Sequence, residues 1–166
     1  MTMSEIEIAI SLRDSAWSTA LPDAAAVARR AALAALDAAD AMPEAVELGV
    51  VLADDSFVRT LNRTWRGEDR TTDVLSFPLH EQPGLAPEPA AQPLMLGDVV
   101  LARETVERDS ASAGVLLADR VSHLVVHGVF HLLGHDHDEP VAERRMRALE
   151  TRTLLALGLS DPYVNL

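Results

Sequence analysis

Hydrophobic and polar positions along the chain follow two rhythms, one of period two and one near 3.6, and they alternate in a way that predicts interleaved strands and helices. Ile6, Ile8 and Ile10 alternate with Glu5, Glu7 and Ala9, the pattern of a half-buried strand. Residues 45–53, Ala-Val-Glu-Leu-Gly-Val-Val-Leu-Ala, predict a second strand, Asp73 to Phe77 a short third, and Leu94 to Leu101 a fourth. Between the first two, Pro22 and Asp23 open an alanine-rich helix through Ala39, with Val27, Ala31, Leu33 and Leu36 on one apolar face. Asp54-Asp55-Ser56 can cap a helix over about 56–64 that turns Phe57, Leu61 and Trp65 inward. Further helices are predicted from Ala102 to about Ser110, from Leu117 to Leu133, and from Pro140 to about Leu157 before Gly158. Five of the nine prolines lie between residues 78 and 93, so that stretch reads as an extended exposed loop.

Strands interleaved with helices predict an α+β fold: a four-stranded mixed sheet packed with about five helices. The segment from Leu117 to Leu133 is apolar nearly all round, which predicts a central buried helix. With 166 residues and 48% hydrophobic content, the chain is sized for a single domain over residues 1–166. No cysteine is present, which excludes disulfides, thiolate nucleophiles and cysteine-based metal sites. The start, Met1-Thr2-Met3-Ser4-Glu5, lacks a basic segment followed by an apolar run, and no window approaches the roughly 20 apolar residues of a membrane span. The expectation is a cytoplasmic protein with no membrane partner.

A balance of 26 acids against 14 bases gives a net charge of −12, which argues against indiscriminate binding to a nucleic-acid backbone. One local exception stands out. Arg59, Arg63, Arg66 and Arg70 recur at i, i+4, i+7 and i+11 and can line one side of a helix and its exit loop. An ordinary solvated helix face has the same spacing.

Five of the six histidines fall between residues 123 and 137. His127 and His131 are four apart, so on a helix both can point at one ion. His137, at i+10, is about 80° off that face and several turns too far along a straight helix. Gly134 removes the obstacle, because glycine enters the left-handed conformation that ends helices and lets the chain fold back. The same break interrupts the stripe His123, His127, His131, His135 and so favours His137 over His135 as the third ligand. His123 fits a buried imidazole or one that supports a ligand better than it fits ligation. Three protein ligands leave a tetrahedral ion one open position, the arrangement of catalytic zinc, here a zincin-like metal site on a central helix.

Three neutral imidazoles without thiolate suit Zn²⁺, one ion per chain. Such an ion acidifies bound water and polarises a phosphoryl oxygen, and a guanidinium such as Arg66 suits the charge that develops on phosphate. The residue after His127 is Gly128, where zinc peptidases of the His-Glu-x-x-His type place a general-base glutamate. Asp136 is better suited to a turn than to catalysis, Glu139 is near in sequence, and Asp73 and Asp98 can buttress the site or cap loops.

The block His-Gly-Val-Phe-His-Leu-Leu-Gly-His-Asp-His at 127–137 does not stand alone. With Leu61-Asn62-Arg63-Thr64-Trp65-Arg66, Thr72-Asp73-Val74-Leu75-Ser76-Phe77-Pro78 and Leu96-Gly97-Asp98-Val99, it resembles the YbeY family of bacterial endoribonucleases, in the family's order. The resemblance implies a zinc-dependent endoribonuclease specific for single-stranded RNA, acting in ribosomal RNA maturation at the 3′ end of 16S rRNA and in ribosome quality control. It implies zinc ligation by His127, His131 and His137 and a functional arginine at Arg66, which makes Arg66 and His131 the candidate catalytic residues. The net charge of −12 separately suggests delivery to RNA by ribosomal or ribosome-assembly proteins. Two other readings share the same site: a metal-dependent hydrolase of peptides or small molecules, and a non-catalytic zinc-containing ribosome-assembly factor.

Overall fold

Four strands, β1 (Glu5–Leu12), β2 (Ala45–Ala53), β3 (Val74–Pro78) and β4 (Leu94–Ala102), form one sheet in the order β1-β2-β4-β3. The structure is a computed structural model that describes residues 5–39, 45–79 and 93–164, so most of the proline-rich stretch lies outside the described residues. The first three strands of that order run parallel, and β3 closes the edge antiparallel to β4, which makes the sheet mixed as the alternation predicts.

The helices are α1 (Trp17–Ala20), α2 (Ala24–Ala38), α3 (Asp55–Arg66), α4 (Arg103–Ala113), α5 (Leu117–Leu132) and α6 (Pro140–Ala156). The extra one, α1, is too short to show a helical period. It exists because Trp17 is fully buried and its indole N–H donates to the Ala53 carbonyl at 2.9 Å. Among the described residues no single helix is long and apolar enough to cross a membrane.

The main core lies between the sheet and α2, α5 and α6. Ile8, Val46, Leu48, Val50 and Leu52 meet Val27, Ala31, Val125 and Val129 there. Leu33, expected on the inner face of α2, is 41% exposed, because small alanines at 28, 31, 32 and 35 let α2 pack closely along a neighbouring line. A smaller cluster on the other face packs Val58, Phe57 and Leu61 of α3 against Leu75, Phe77, Val100 and Ala102. Trp65 does not join it. It is 71% exposed, and the buried positions of α3 are Val58 and Asn62, four apart. Asn62 is buried because it closes the loop beyond the helix, its amide donating to the Arg70 carbonyl at 2.9 Å.

Strand β4 departs from strict alternation in a way that positions the site. Leu94 and Leu96 face the main core, and so do Val99 and Leu101, a change of parity within one strand. A register shift against β2 between Glu47 and Leu48 absorbs the extra residue, and Gly97 carries it at φ +133°. A Cβ on Gly97 would sit 2.1 Å from the Phe77 carbonyl oxygen, so no larger residue fits without parting β3 from β4.

Candidate metal centre

Helix α5 is the central element, with Val121, Leu124, Val125, Val126, Val129, Phe130 and Leu132 buried around it and the histidines on its open side. It approaches the sheet closely at Gly128. A Cβ there would lie 2.6 Å from Val99 Cγ1, and the Gly128 carbonyl instead accepts the Ser76 hydroxyl at 3.2 Å. Glycine at the position where zinc peptidases carry glutamate is thus a packing requirement of this helix.

The helix ends as the sequence predicts. Gly134 has φ +95°, its N–H donates to the His131 carbonyl at 3.1 Å, and the His135 N–H reaches back to the Phe130 carbonyl at 3.0 Å. The chain then returns through a turn in which Asp136 Oδ1 accepts the Asp138 N–H, the turn role expected of Asp136. Glu139 is the residue before the first turn of α6, with Pro140 as the first helical position.

This path brings His127, His131 and His137 together, one ring nitrogen of each within 4.8 Å of the others. His127 Nε2 and His131 Nε2 are 3.0 Å apart. Imidazole nitrogens about 2.0–2.1 Å from a tetrahedral zinc ion are separated by about 3.4 Å, a value these separations bracket, so the donor set fits such an ion. His135 is turned elsewhere, its ring edge-on to Phe130 at 5.7 Å.

Behind His127 stands a carboxylate that pattern reading passed over. Glu150 of α6 is 1% exposed, and its Oε1 lies 2.8 Å from His127 Nδ1 and 3.2 Å from His123 Nε2. Its Oε2 accepts the Tyr163 hydroxyl at 2.8 Å. An ionised carboxylate can only accept, so the proton on His127 resides on Nδ1 and Nε2 presents its lone pair to the cluster. The available signal was a face rather than a motif: Met146, Glu150, Thr153 and Leu154 are the buried positions of α6, and a carboxylate among them demands a partner.

Electrostatics favour a neutral His131 and a charged Glu150. Burial, together with the neighbouring His127 and His137, lowers His131 from 6.5 to about 4. For Glu150 burial acts upward, but the hydrogen bonds from His123, His127 and Tyr163 outweigh it and hold the carboxyl at about 2. Burial and the adjacent Glu150 push the Tyr163 phenol well above its ordinary value.

Arg66 reaches the same place from the opposite face of the sheet. Edge strand β3 turns Ser76 toward α5 and Leu75 and Phe77 toward α3, and at this edge the Arg66 guanidinium donates to the Ser76 carbonyl at 2.9 Å. It also lies 5.9 Å from the Phe77 ring centroid. A cleft of about 400 Å³ is lined by Arg66, by residues 72–76 and by all three histidines. The other arginines of the stripe are paired: Arg59 and Arg63 with Asp69 at 2.9 and 3.8 Å, and Arg70 with Glu68 at 2.9 Å. Asp73 lines the cleft and is ion-paired with Arg120 of α5 at 3.1 Å, while Asp98 is exposed and leans over Gly49, away from the cleft.

Comparison with known proteins follows the same residues. The family model described as Endoribonuclease YbeY matches residues 11–158. The chain is 52% identical to a protein named Endoribonuclease YbeY from Paramagnetospirillum magneticum over 160 residues, covering 95% of this chain and 96% of that one. A relative of the same name from Azorhizobium caulinodans is 45% identical with the same coverage, and one from Rhodospirillum rubrum is 42% identical over 96% of this chain and 82% of its own length. Among solved structures, the solution structure of TM1509 from Thermotoga maritima superposes with a TM-score of 0.52 at 21% identity, covering 95% of this chain and 98% of that one, a likeness of fold.

Proposed function

We propose that this chain, which belongs to the Endoribonuclease YbeY family of RNA-cleaving hydrolases, cuts single-stranded RNA with the help of a zinc ion held by His127, His131 and His137. Its substrates on this reading are ribosomal RNA precursors, the 3′ end of 16S rRNA among them, met in the cytoplasm in company with ribosomal or ribosome-assembly proteins. The observation that carries the reading is the shared cleft, with three imidazoles on one wall and an arginine without an acidic partner among the described residues on the other.

When bound, the ion supplies Lewis acidity toward a phosphoryl oxygen and makes hydroxide available near neutral pH. The protein supplies the rest. Burial and the two neighbouring imidazoles keep His131 neutral, and Glu150 fixes the tautomer of His127. Arg66 is permanently charged and anchored by one nitrogen to Ser76, which leaves its remaining donors for the equatorial oxygens of a phosphodiester. Exposed Trp65, next to it, offers a face on which an unpaired base can stack, a contact that a duplex denies.

The net charge of −12, with the flanking arginines tied to Asp69 and Glu68, favours weak intrinsic RNA affinity and delivery by a partner. The test is cleavage of an unstructured RNA by wild type and His131→Ala, paired with elemental analysis of both. The expected result is about one zinc per chain and cutting by wild type, with both lost in the variant. Undiminished cutting after exhaustive chelation contradicts the reading, and peptide turnover with RNA left intact favours a peptide hydrolase instead.

A further inference from the structure

Glu150 is the most deeply buried acid of the described core, and such a group is retained at a cost unless every oxygen is used. Here every oxygen is. Oε1 faces two imidazoles, His127 at 2.8 Å and His123 at 3.2 Å, and Oε2 takes the Tyr163 hydroxyl at 2.8 Å. His123 and Tyr163 also meet each other, Nε2 to hydroxyl at 3.3 Å, so the carboxylate is gripped from two sides.

The phenol arrives on a turn that is itself fastened down. Asp161 Oδ1 accepts the Tyr163 N–H at 2.8 Å and the Thr151 hydroxyl of α6 at 3.2 Å, and the Arg147 guanidinium lies 4.8 Å over the Tyr163 ring. This turn falls after residue 158, where the family match ends.

We propose that Glu150 is a positioning residue of the metal centre, acting through His127, and that the C-terminal turn bearing Tyr163 sets metal affinity by holding that carboxylate in place. The carboxylate fixes both the rotation of the His127 ring and the nitrogen that carries its proton, so the lone pair of Nε2 stays aimed at His131 and His137. Without the phenol, Oε2 is buried beside a cavity of about 110 Å³ lined by His127, His137, Glu150 and Tyr163, where water can replace the lost donor in part. Loss of the hydroxyl therefore costs less than loss of the carboxylate.

The inference rests on the proposal that the three histidines hold an ion. It is tested by titrating the metal-depleted full-length chain with Zn²⁺ against a competing chelator, for wild type, Glu150→Gln and Tyr163→Phe. Glu150→Gln should weaken Zn²⁺ binding about 10- to 100-fold, and Tyr163→Phe by a smaller factor of about 3 to 10. Thermal unfolding of each metal-free variant reports whether it folds, and if Glu150→Gln does not, Tyr163→Phe decides. A readout that a purely structural role leaves unmoved is the His127 Nδ1–H resonance, which a charged acceptor holds far downfield in wild type and which should move upfield in Glu150→Gln, where the acceptor is a neutral amide oxygen. Folded variants that bind Zn²⁺ as wild type does overturn the inference. A wild type that binds no Zn²⁺ overturns the underlying reading of the site instead.

Discussion

On one wall of the cleft His127 and His131 stand on α5, a helix buried on every side but one, with Glu150, His123 and Tyr163 hydrogen bonded behind them. On the other wall Arg66 ends α3, whose last turn is exposed, whose Arg59 and Arg63 are paired with Asp69, and beyond which Arg70 is paired with Glu68 in open solvent. The histidine wall is held by packing and by hydrogen bonds to a carboxylate that is 1% exposed. The arginine wall is held by one bond to the edge of β3 and by ion pairs that salt screens. Geometry that must persist without substrate is built into the core, and charge that must meet a mobile polyanion is left at the surface.

The sharpest test of that division is Arg66→Ala. Cleavage should fall about 10²- to 10³-fold while zinc content and Tm stay at wild-type values, because in the proposed function the side chain serves the transition state and adds little to the fold. Arg66→Lys should recover only part of the rate, since an ammonium cannot reproduce the planar fork. A loss of zinc in Arg66→Ala would show the two walls to be one structure.

Gly128→Ala probes the buried wall. Alanine returns up to about 1 kcal/mol of helix propensity, but its methyl group meets Val99 at 2.6 Å, and overpacking typically costs about 1–3 kcal/mol. Denaturant midpoints should show a net loss of stability, with weaker zinc binding as α5 moves off the sheet. A stabilised variant would mean that the close approach is not enforced.

Acid should act on the same wall. In the metal-free protein His131 titrates at about 4 when folded and at 6.5 as an ordinary imidazole, so between those values the unfolded chain takes up a proton that the fold refuses. Glu150, at about 2 against 4.5, repeats this at lower pH. The stability these two groups contribute is therefore fully present above pH 6.5 and declines as pH falls. Thermal scans of metal-free protein should show this, and His131→Ala should flatten the slope between pH 6.5 and 4. The smallest effect belongs to the exposed wall: Asp69→Ala removes the partner of Arg59 and Arg63, yet Tm should not move beyond error, and the freed guanidinium groups should strengthen RNA binding at low salt.

Much of this was legible in the chain because it is local. Period-two alternation marked β1, three further apolar runs marked β2, β3 and β4, and the pair His127 and His131 with Gly134 marked the bend that returns His137. Trp65 was misread because helical spacing alone places it near the apolar face, whereas the loop that Asn62 fastens leaves nothing to cover it. Helix α1 was missed because four residues carry no period, only a tryptophan whose partner, Ala53, is far along the chain. Glu150 was missed for the same reason. Its partners lie on α5 and in the C-terminal turn, and its own helix reads as a mixed polar face until those contacts are known.

The proposed chemistry requires a metal ion among His127, His131 and His137, and crystals grown with Zn²⁺ test this directly through anomalous diffraction at the zinc edge. A single strong peak within bonding distance of one nitrogen from each of the three rings, with His127 Nδ1 still on Glu150, is the predicted result. The three rings apart with no peak between them, or a peak at His135 instead, would contradict it.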